Sequence, residues 1–260
     1  MSSDGIIQIE KESYDFANIL FSGNCNRKCP FCIGKSLSKT VNIDNLSLFP
    51  LIKLNEFITK LKETETANIV FTGTISDPQL YKFEIKLIEE IKKRIPSSKI
   101  SLHTNGALAL KKHVEFNSYD KACISFPSFK KETYFAMMGS RNVPNLEKIL
   151  SKSKIEIKIS TIITEHNFNE IENFIKKLNS IGIKRLVLRK LFGEKRIWNL
   201  FQKIKPVKFF KKNPVYEIDG IEVTYWNFDI ADCRSLNLFP NGLIGTSYLL
   251  TETKNFLKTP

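Results

Sequence analysis

Cysteine is scarce in this chain, with five in 260 residues, and three of the five fall between positions 25 and 32. A disulfide framework is excluded, because three neighbouring thiols cannot pair among themselves and only Cys123 and Cys233 remain. Histidine is scarcer still, at three. No apolar run approaches the ~20 residues of a membrane span. The opening residues, MSSDGIIQIEKE, have neither a basic start nor an apolar stretch, so no secretory leader is expected. The cytoplasm is the expected compartment. Also missing are a phosphate-cradling P-loop, a Gly-rich dinucleotide fingerprint, a Ser-His-Asp pattern and any internal repeat. Acids are in deficit, 27 against 40 lysines and arginines, which leaves a formal charge of +13.

What is present is the composition of a globular protein, 42% hydrophobic and 26% charged. The length suits one large α/β domain or two small ones. The positive excess is concentrated. From Lys184 to Lys212 there are eleven basic residues and one acid, Glu194, with Phe192, Trp198, Phe201, Phe209 and Phe210 interleaved. Basic residues mixed with aromatics suit phosphates and stacked bases, so an anionic substrate or RNA is a candidate partner. Plain solvated surface is the other reading of the same lysines.

Strand and helix patterns alternate from about residue 13 to 195. Tyr14 to Phe21, Asn68 to Thr72, Lys99 to Thr104, Lys121 to Phe126, Ile155 to Thr164 and Lys184 to Arg189 read as six strands. Leu51, Leu54, Ile58 and Leu61 recur at helical spacing, as do Leu80, Phe83, Leu87 and Ile91 before Pro96. Further helices are expected over Asn145 to Lys152 and Asn169 to Ser180. Such alternation implies parallel βαβ units, in a doubly wound sheet or a partial barrel, with sites at the carboxyl ends of the strands. Period-two alternation sets Cys123 and Ser125 on one strand, Lys158 and Ser160 on the next, and His103 and Asn105 on the third, opposite their apolar neighbours. These polar faces are expected to meet in a lumen.

The run Cys25-Asn26-Arg27-Lys28-Cys29-Pro30-Phe31-Cys32 carries most of the functional information. Three thiolates can hold one cluster, whose four irons usually take four cysteines, so one iron would stay open to a ligand. A zinc site of three cysteines and a histidine is the rival, with His103 the nearest histidine in sequence.

This C-x3-C-x2-C spacing, with aromatic Phe31 before the last cysteine, resembles the signature of the radical S-adenosylmethionine (SAM) enzymes. The resemblance implies a partial (β/α)6 barrel over residues 13–195, after an N-terminal lead of residues 1–12. It implies a [4Fe-4S] cluster on Cys25, Cys29 and Cys32, and SAM bound at the open iron with its adenine near Phe31. Reductive cleavage of SAM to a 5'-deoxyadenosyl radical that takes hydrogen from a substrate follows, as does an external electron donor of flavodoxin or ferredoxin type. Gly73, Thr74 and Asp77, in Phe71-Thr72-Gly73-Thr74-Ile75-Ser76-Asp77-Pro78, stand where many members bind the SAM amino group, although the chain departs from the usual Gly-Gly-Glu-Pro. An ordinary turn, capped by Asp77 with Pro78 at the first helical position, explains the same residues. His103-Thr104-Asn105-Gly106 is similar to the family's Thr-Asn-Gly turn. By position Asn105, Ser125, Ser160 and Arg189 complete the expected SAM-side shell.

Beyond residue 195, Asp219-Gly220 and Asn241-Gly242 lie between apolar flanks and signal hairpins over Val215 to Asn227 and Leu236 to Leu249. A basic linker and a small C-terminal β extension are therefore expected over residues 196–260. Cys233, in a polar stretch, is a candidate hydrogen donor, with burial as a small hydrophobe its alternative. Three functions stay open: radical SAM chemistry on an anionic substrate such as a nucleotide or RNA, a radical SAM peptide- or protein-modifying or activating enzyme, and a non-catalytic zinc-stabilised nucleic-acid-binding module.

Overall fold

A computed structural model of the chain describes residues 12–246. The expected N-terminal lead, up to residue 11, and the end of the last hairpin, residues 247–249, lie outside the described residues. Six strands, β1 (Phe16–Phe21), β2 (Asn68–Gly73), β3 (Lys99–Thr104), β4 (Lys121–Ser125), β5 (Glu156–Ile163) and β6 (Arg185–Lys190), pair in sequence order and all in parallel. Each falls within a residue or two of its expected position. Ala17, Ile19, Phe71, Ile100, Leu102, Ile124, Ile159 and Leu188 are buried on the side that the helices cover.

Helix α1 (Leu54–Glu63) buries Leu54, Phe57, Ile58 and Leu61, a stripe at helical spacing. The second helical pattern is divided. A 3-10 turn, Pro78–Leu80, precedes α2 (Glu84–Arg94), which ends just before Ile95-Pro96, where proline disfavours helical geometry in the residue before it. Single-turn α3 (His113–Phe116) and α4 (Lys131–Met138) have no counterpart in the sequence reading. In α4, Thr133, Tyr134, Met137 and Met138 are buried while Phe135 is exposed, so the helix lacks a clean apolar stripe. Helices α5 (Leu146–Lys152) and α6 (Ile171–Ser180) fill the later crossovers as expected.

The C-terminal strands join the same sheet and divide between its two edges. Strands β7 (Lys208–Phe210), β8 (Asn213–Ile218) and β9 (Ile221–Trp226) form an antiparallel meander, and β9 pairs in parallel with β6. Asp219 and Gly220 have φ of 48° and 74°, the left-handed pair that a two-residue hairpin turn requires. Strand β10 (Ser235–Leu238) pairs in parallel with β1 on the opposite edge and turns through Asn241-Gly242 into β11 (Ile244–Gly245). Inside this joint the Asn18 amide donates to Asn237 Oδ1 at 2.7 Å.

The sheet order is thus β11-β10-β1-β2-β3-β4-β5-β6-β9-β8-β7, a curved sheet that does not close. The two edges of the sheet are linked by charge, the turn beside the carboxyl end of β9 meeting the amino ends of β1 and β10. Lys211, in the turn between β7 and β8, pairs with Asp15 ahead of β1, and Lys212 reaches Asp232 ahead of β10.

Because β10 is an integral neighbour of β1, Leu238→Ala is expected to cost about 2–5 kcal/mol, like Ile69→Ala in β2. Both are expected to shift one cooperative transition, seen alike by tryptophan fluorescence and far-ultraviolet circular dichroism. A separate early transition in Leu238→Ala alone would show an independent extension instead.

Candidate active site

At the carboxyl ends of β1 to β6 a cavity of about 520 Å³ opens, within the range of small-molecule and cofactor sites. Its wall includes Cys25, Cys29, Cys32, Phe31, Gly73, Thr74, Asp77, Asn105, Ser125, Ser160 and Arg189, so the structure gathers these residues from six strand ends into one place. A smaller cleft of about 420 Å³ lies outside the sheet between α1 and α2 and contains no thiol.

The cysteine loop follows β1 and is held from three sides. Arg27 is buried, donates to the carbonyls of Asn26 and Asn142 at 3.0 Å and to the Tyr134 hydroxyl at 3.3 Å, and lies over the Tyr134 ring. The Lys28 amide donates to the Met138 carbonyl at the end of α4. Gly139 caps that helix at φ 62°, and a Cβ there would stand 2.5 Å from the Lys28 carbonyl oxygen, so the close approach requires glycine. From the third side, Asn105 Nδ2 donates to Asn26 Oδ1 at 2.7 Å.

Asp77 joins the loops behind this arrangement. Its carboxylate accepts from the Gln79 amide at 3.0 Å, the Asn105 amide at 2.7 Å and the Thr104 hydroxyl at 2.9 Å. It caps the 3-10 turn with Pro78 at the first position, as the sequence suggests. Burial pushes the Asp77 carboxyl above its usual value, against the lowering effect of these donors and of Arg27. Gly73 lets the loop fold back, since a Cβ there would sit 1.6 Å from the Ser76 carbonyl oxygen.

The three thiols are free. Burial, with Cys32 and Cys25 close by, pushes Cys29 up to about 11, and burial raises Cys25 as well. Binding a metal as thiolates therefore displaces protons. A four-iron cube attaches its cysteines to different irons and spaces them more widely than one ion does. Among the described residues no three of His, Cys, Asp or Glu stand close enough to hold a single ion. Three cysteines on one loop are the donor set that a [4Fe-4S] cluster with one open iron takes.

One candidate departs from the sequence reading. Cys233 is not brought to the cavity: it precedes β10 at the amino ends of the strands, near Asp15, Lys211 and Asp232. Cys123, buried on β4, lines the cavity instead. The cations of the basic run are largely paired. Six of its eleven cations, Arg185, Lys190, Arg196, Lys208, Lys211 and Lys212, pair with acids. Phe192 lines the cavity, Trp198 packs on Phe168, and Phe209 and Phe210 are exposed on edge strand β7. Arg27, Tyr134, Met138 and Gly139 carry the loop's support and were not singled out from sequence. Their only sequence signal was Gly139 as a helix stop after Lys131 to Met138.

A parallel, open barrel with three convergent thiols at the carboxyl ends of its strands is the frame of a cofactor-dependent enzyme. A family model described as the Radical SAM superfamily matches residues 19–193. The chain belongs to the radical SAM superfamily, whose cofactors are a [4Fe-4S] cluster and SAM. Over 167 residues it is 27% identical to the GTP 3',8-cyclases of Clostridium perfringens strains SM101 and 13, a match that covers 61% of this chain and 49% of the cyclase. It therefore spans about half the length of those relatives. In structure it is similar to Streptococcus suis SuiB, at 16% identity and a TM-score of 0.52, over 70% of this chain and 41% of SuiB. SuiB bound to S-adenosylmethionine gives 17% identity and a TM-score of 0.50, over 72% and 43%. At such identities the likeness concerns the fold. Among the described residues no helix is long and apolar enough to cross a membrane.

Arg27→Ala leaves the thiols in place but removes the loop's pins. After anaerobic reconstitution it is expected to retain less than half of the roughly four irons of the wild type. Iron analysis with visible absorption checks this, and wild-type iron content in the variant would show that Arg27 does not position the loop.

Proposed function

We propose that this chain reductively cleaves SAM and directs the resulting radical at a compact anionic substrate of the nucleotide class. The observation that carries the reading is the convergence in one cavity of Cys25, Cys29 and Cys32 with polar strand ends and a cationic interior. The likeness to a protein named GTP 3',8-cyclase supports a nucleotide-class anion. With the cluster and SAM bound, an electron from an external donor of flavodoxin or ferredoxin type yields the 5'-deoxyadenosyl radical that abstracts hydrogen from the substrate.

The protein's part is to bind, orient and exclude water. Cys25, Cys29 and Cys32 hold the cluster. Phe31 offers an aromatic face to the adenine, and Gly73 and Thr74 present backbone to the SAM amine. The Thr74 amide is not free for this, because it donates to the Phe21 carbonyl at 2.8 Å. The carbonyls of Gly73 and Thr74 are then the groups to consider, and an ammonium needs acceptors. Asp77 acts by positioning, since its oxygens are engaged in the turn. Asn105 combines a wall position with its bond to Asn26. Ser125 and Ser160, paired in register on β4 and β5, place two hydroxyl-bearing residues side by side for a ribose.

The test is anaerobic reconstitution, reduction with dithionite and addition of SAM, with 5'-deoxyadenosine measured by mass spectrometry. The wild type is expected to form it, and Cys32→Ser to lose at least ~100-fold in rate, a difference of about 2.7 kcal/mol in activation free energy. Stoichiometric zinc without visible absorption, or no cleavage by a protein holding its cluster, would refute the reading. Deuterium from a labelled nucleotide pool appearing in 5'-deoxyadenosine supports the substrate class.

A further inference from the structure

Charge inside the barrel is one-sided. Arg189 of β6 lines the cavity, with its guanidinium carbon 5.8 Å from the centre of the Phe228 ring and its Nε buried without a hydrogen-bond partner. Lys158 of β5 lies in register with Cys123, which lines the same cavity, and the alternation of β5 gives it the lumen side with Ser160. Neighbouring cations on β6 are neutralised: Arg185 pairs with Glu156 and Glu222, and Lys190 with Asp229. Among the described residues, Arg189 and Lys158 have no carboxylate within ion-pair distance.

Their field is felt by the groups around them. Burial first, then the charges of Arg189, Lys158 and Lys121, hold His103 well below the usual histidine value, so it stays neutral. Burial also pushes Lys158 down, Cys123 opposes this, and Arg189, Arg185 and Lys121 add to the lowering. Asp77, the acid in the cavity wall, is held by Thr104, Asn105 and Gln79 and forms no ion pair with either cation. Two other cations that line the cavity are committed elsewhere, Arg27 to Tyr134 and backbone carbonyls and Lys35 to the Cys29 carbonyl.

Two half-buried like charges in one lumen without a counter-ion destabilise a fold, and apolar side chains of similar size would serve packing better. Such a cost is retained where a ligand removes it. We propose that Arg189 and Lys158 form an oxyanion subsite in the floor of the cavity, which holds the phosphate or carboxylate end of the substrate. The planar fork of Arg189 suits two oxygens of one acid group, while Lys158 adds a point charge from below. This subsite rests on the proposed function above, whose substrate it makes more specific: a small molecule with its acid group inside the barrel, rather than a polymer lying across the outer surface.

The test uses the full chain with its cluster reconstituted, and the variants Arg189→Met and Lys158→Met. Thermal unfolding is followed with and without pyrophosphate, which represents a phosphate source, and malonate, which represents a carboxylate source. One of the two anions is expected to raise the wild-type midpoint and to bind at least ~10-fold more weakly to each variant, a loss of about 1.4 kcal/mol. Without added anion both variants are expected to be at least as stable as the wild type, and Lys158→Met is expected to change SAM affinity, measured by equilibrium dialysis, less than twofold. Stabilisation of the wild type by neither anion would overturn the subsite. So would unchanged anion binding in both variants, or a parallel loss of SAM affinity, which would assign the cations to SAM. Wild-type SAM cleavage is measured alongside. Cleavage without anion binding removes the subsite alone, whereas anion binding without cleavage removes the radical reading alone.

Discussion

The buried carboxylate of Asp77 is the constraint on which the site depends. One side chain ties the loop after β2 to the turn after β3, and that turn, through Asn105, reaches the cysteine loop after β1. Three successive strand ends are therefore set relative to one another by hydrogen bonds to and from a single acid and its neighbour. A carboxylate in such surroundings is stable only while its donors stay in place. Precision at the cavity follows from this economy of parts, and the cluster-binding loop needs little structure of its own. Its remaining support comes from α4, through Arg27 and the close approach at Gly139.

Much of this was legible in the sequence. Strands β1 to β6 announced themselves because both kinds of alternation, period two along strands and period 3.6 along helices, report burial directly. The same alternation put Ser125 and Ser160 on one side of the sheet, where the cavity lies. The cysteine spacing is local, so it needs no knowledge of the fold. Asp219-Gly220 and Asn241-Gly242 fixed their turns because few residues other than glycine tolerate a left-handed backbone.

What sequence could not show is long-range. Nothing in Ser235 to Leu238 says that its neighbour is β1, more than two hundred positions earlier. Helix α4 was missed because its buried residues do not form a stripe, and with it went the partners of Arg27. Cys233 looked accessible from its polar neighbours, but the parallel pairing of β10 with β1 sends it to the end of the barrel away from the cysteines. The eleven basic residues from Lys184 to Lys212 formed a patch only in one dimension. In space acids from distant elements meet more than half of them, and one of these, Glu222, takes both Arg185 and Lys208.

The pairing of β10 with β1 also orders events in time. On a chain made from its amino end, β1 gains β2 early, but its other edge stays bare until Leu238 has emerged, since Asn18, Ile19 and their neighbours wait for Asn237 and Leu238. The cysteine loop hangs from the end of this half-finished strand. Contacts across so long a stretch form late, after the loop-closure entropy between them has been overcome. A nascent barrel thus holds its three thiols on an unfinished edge, and delivery of iron and sulfide has a natural place after synthesis rather than during it.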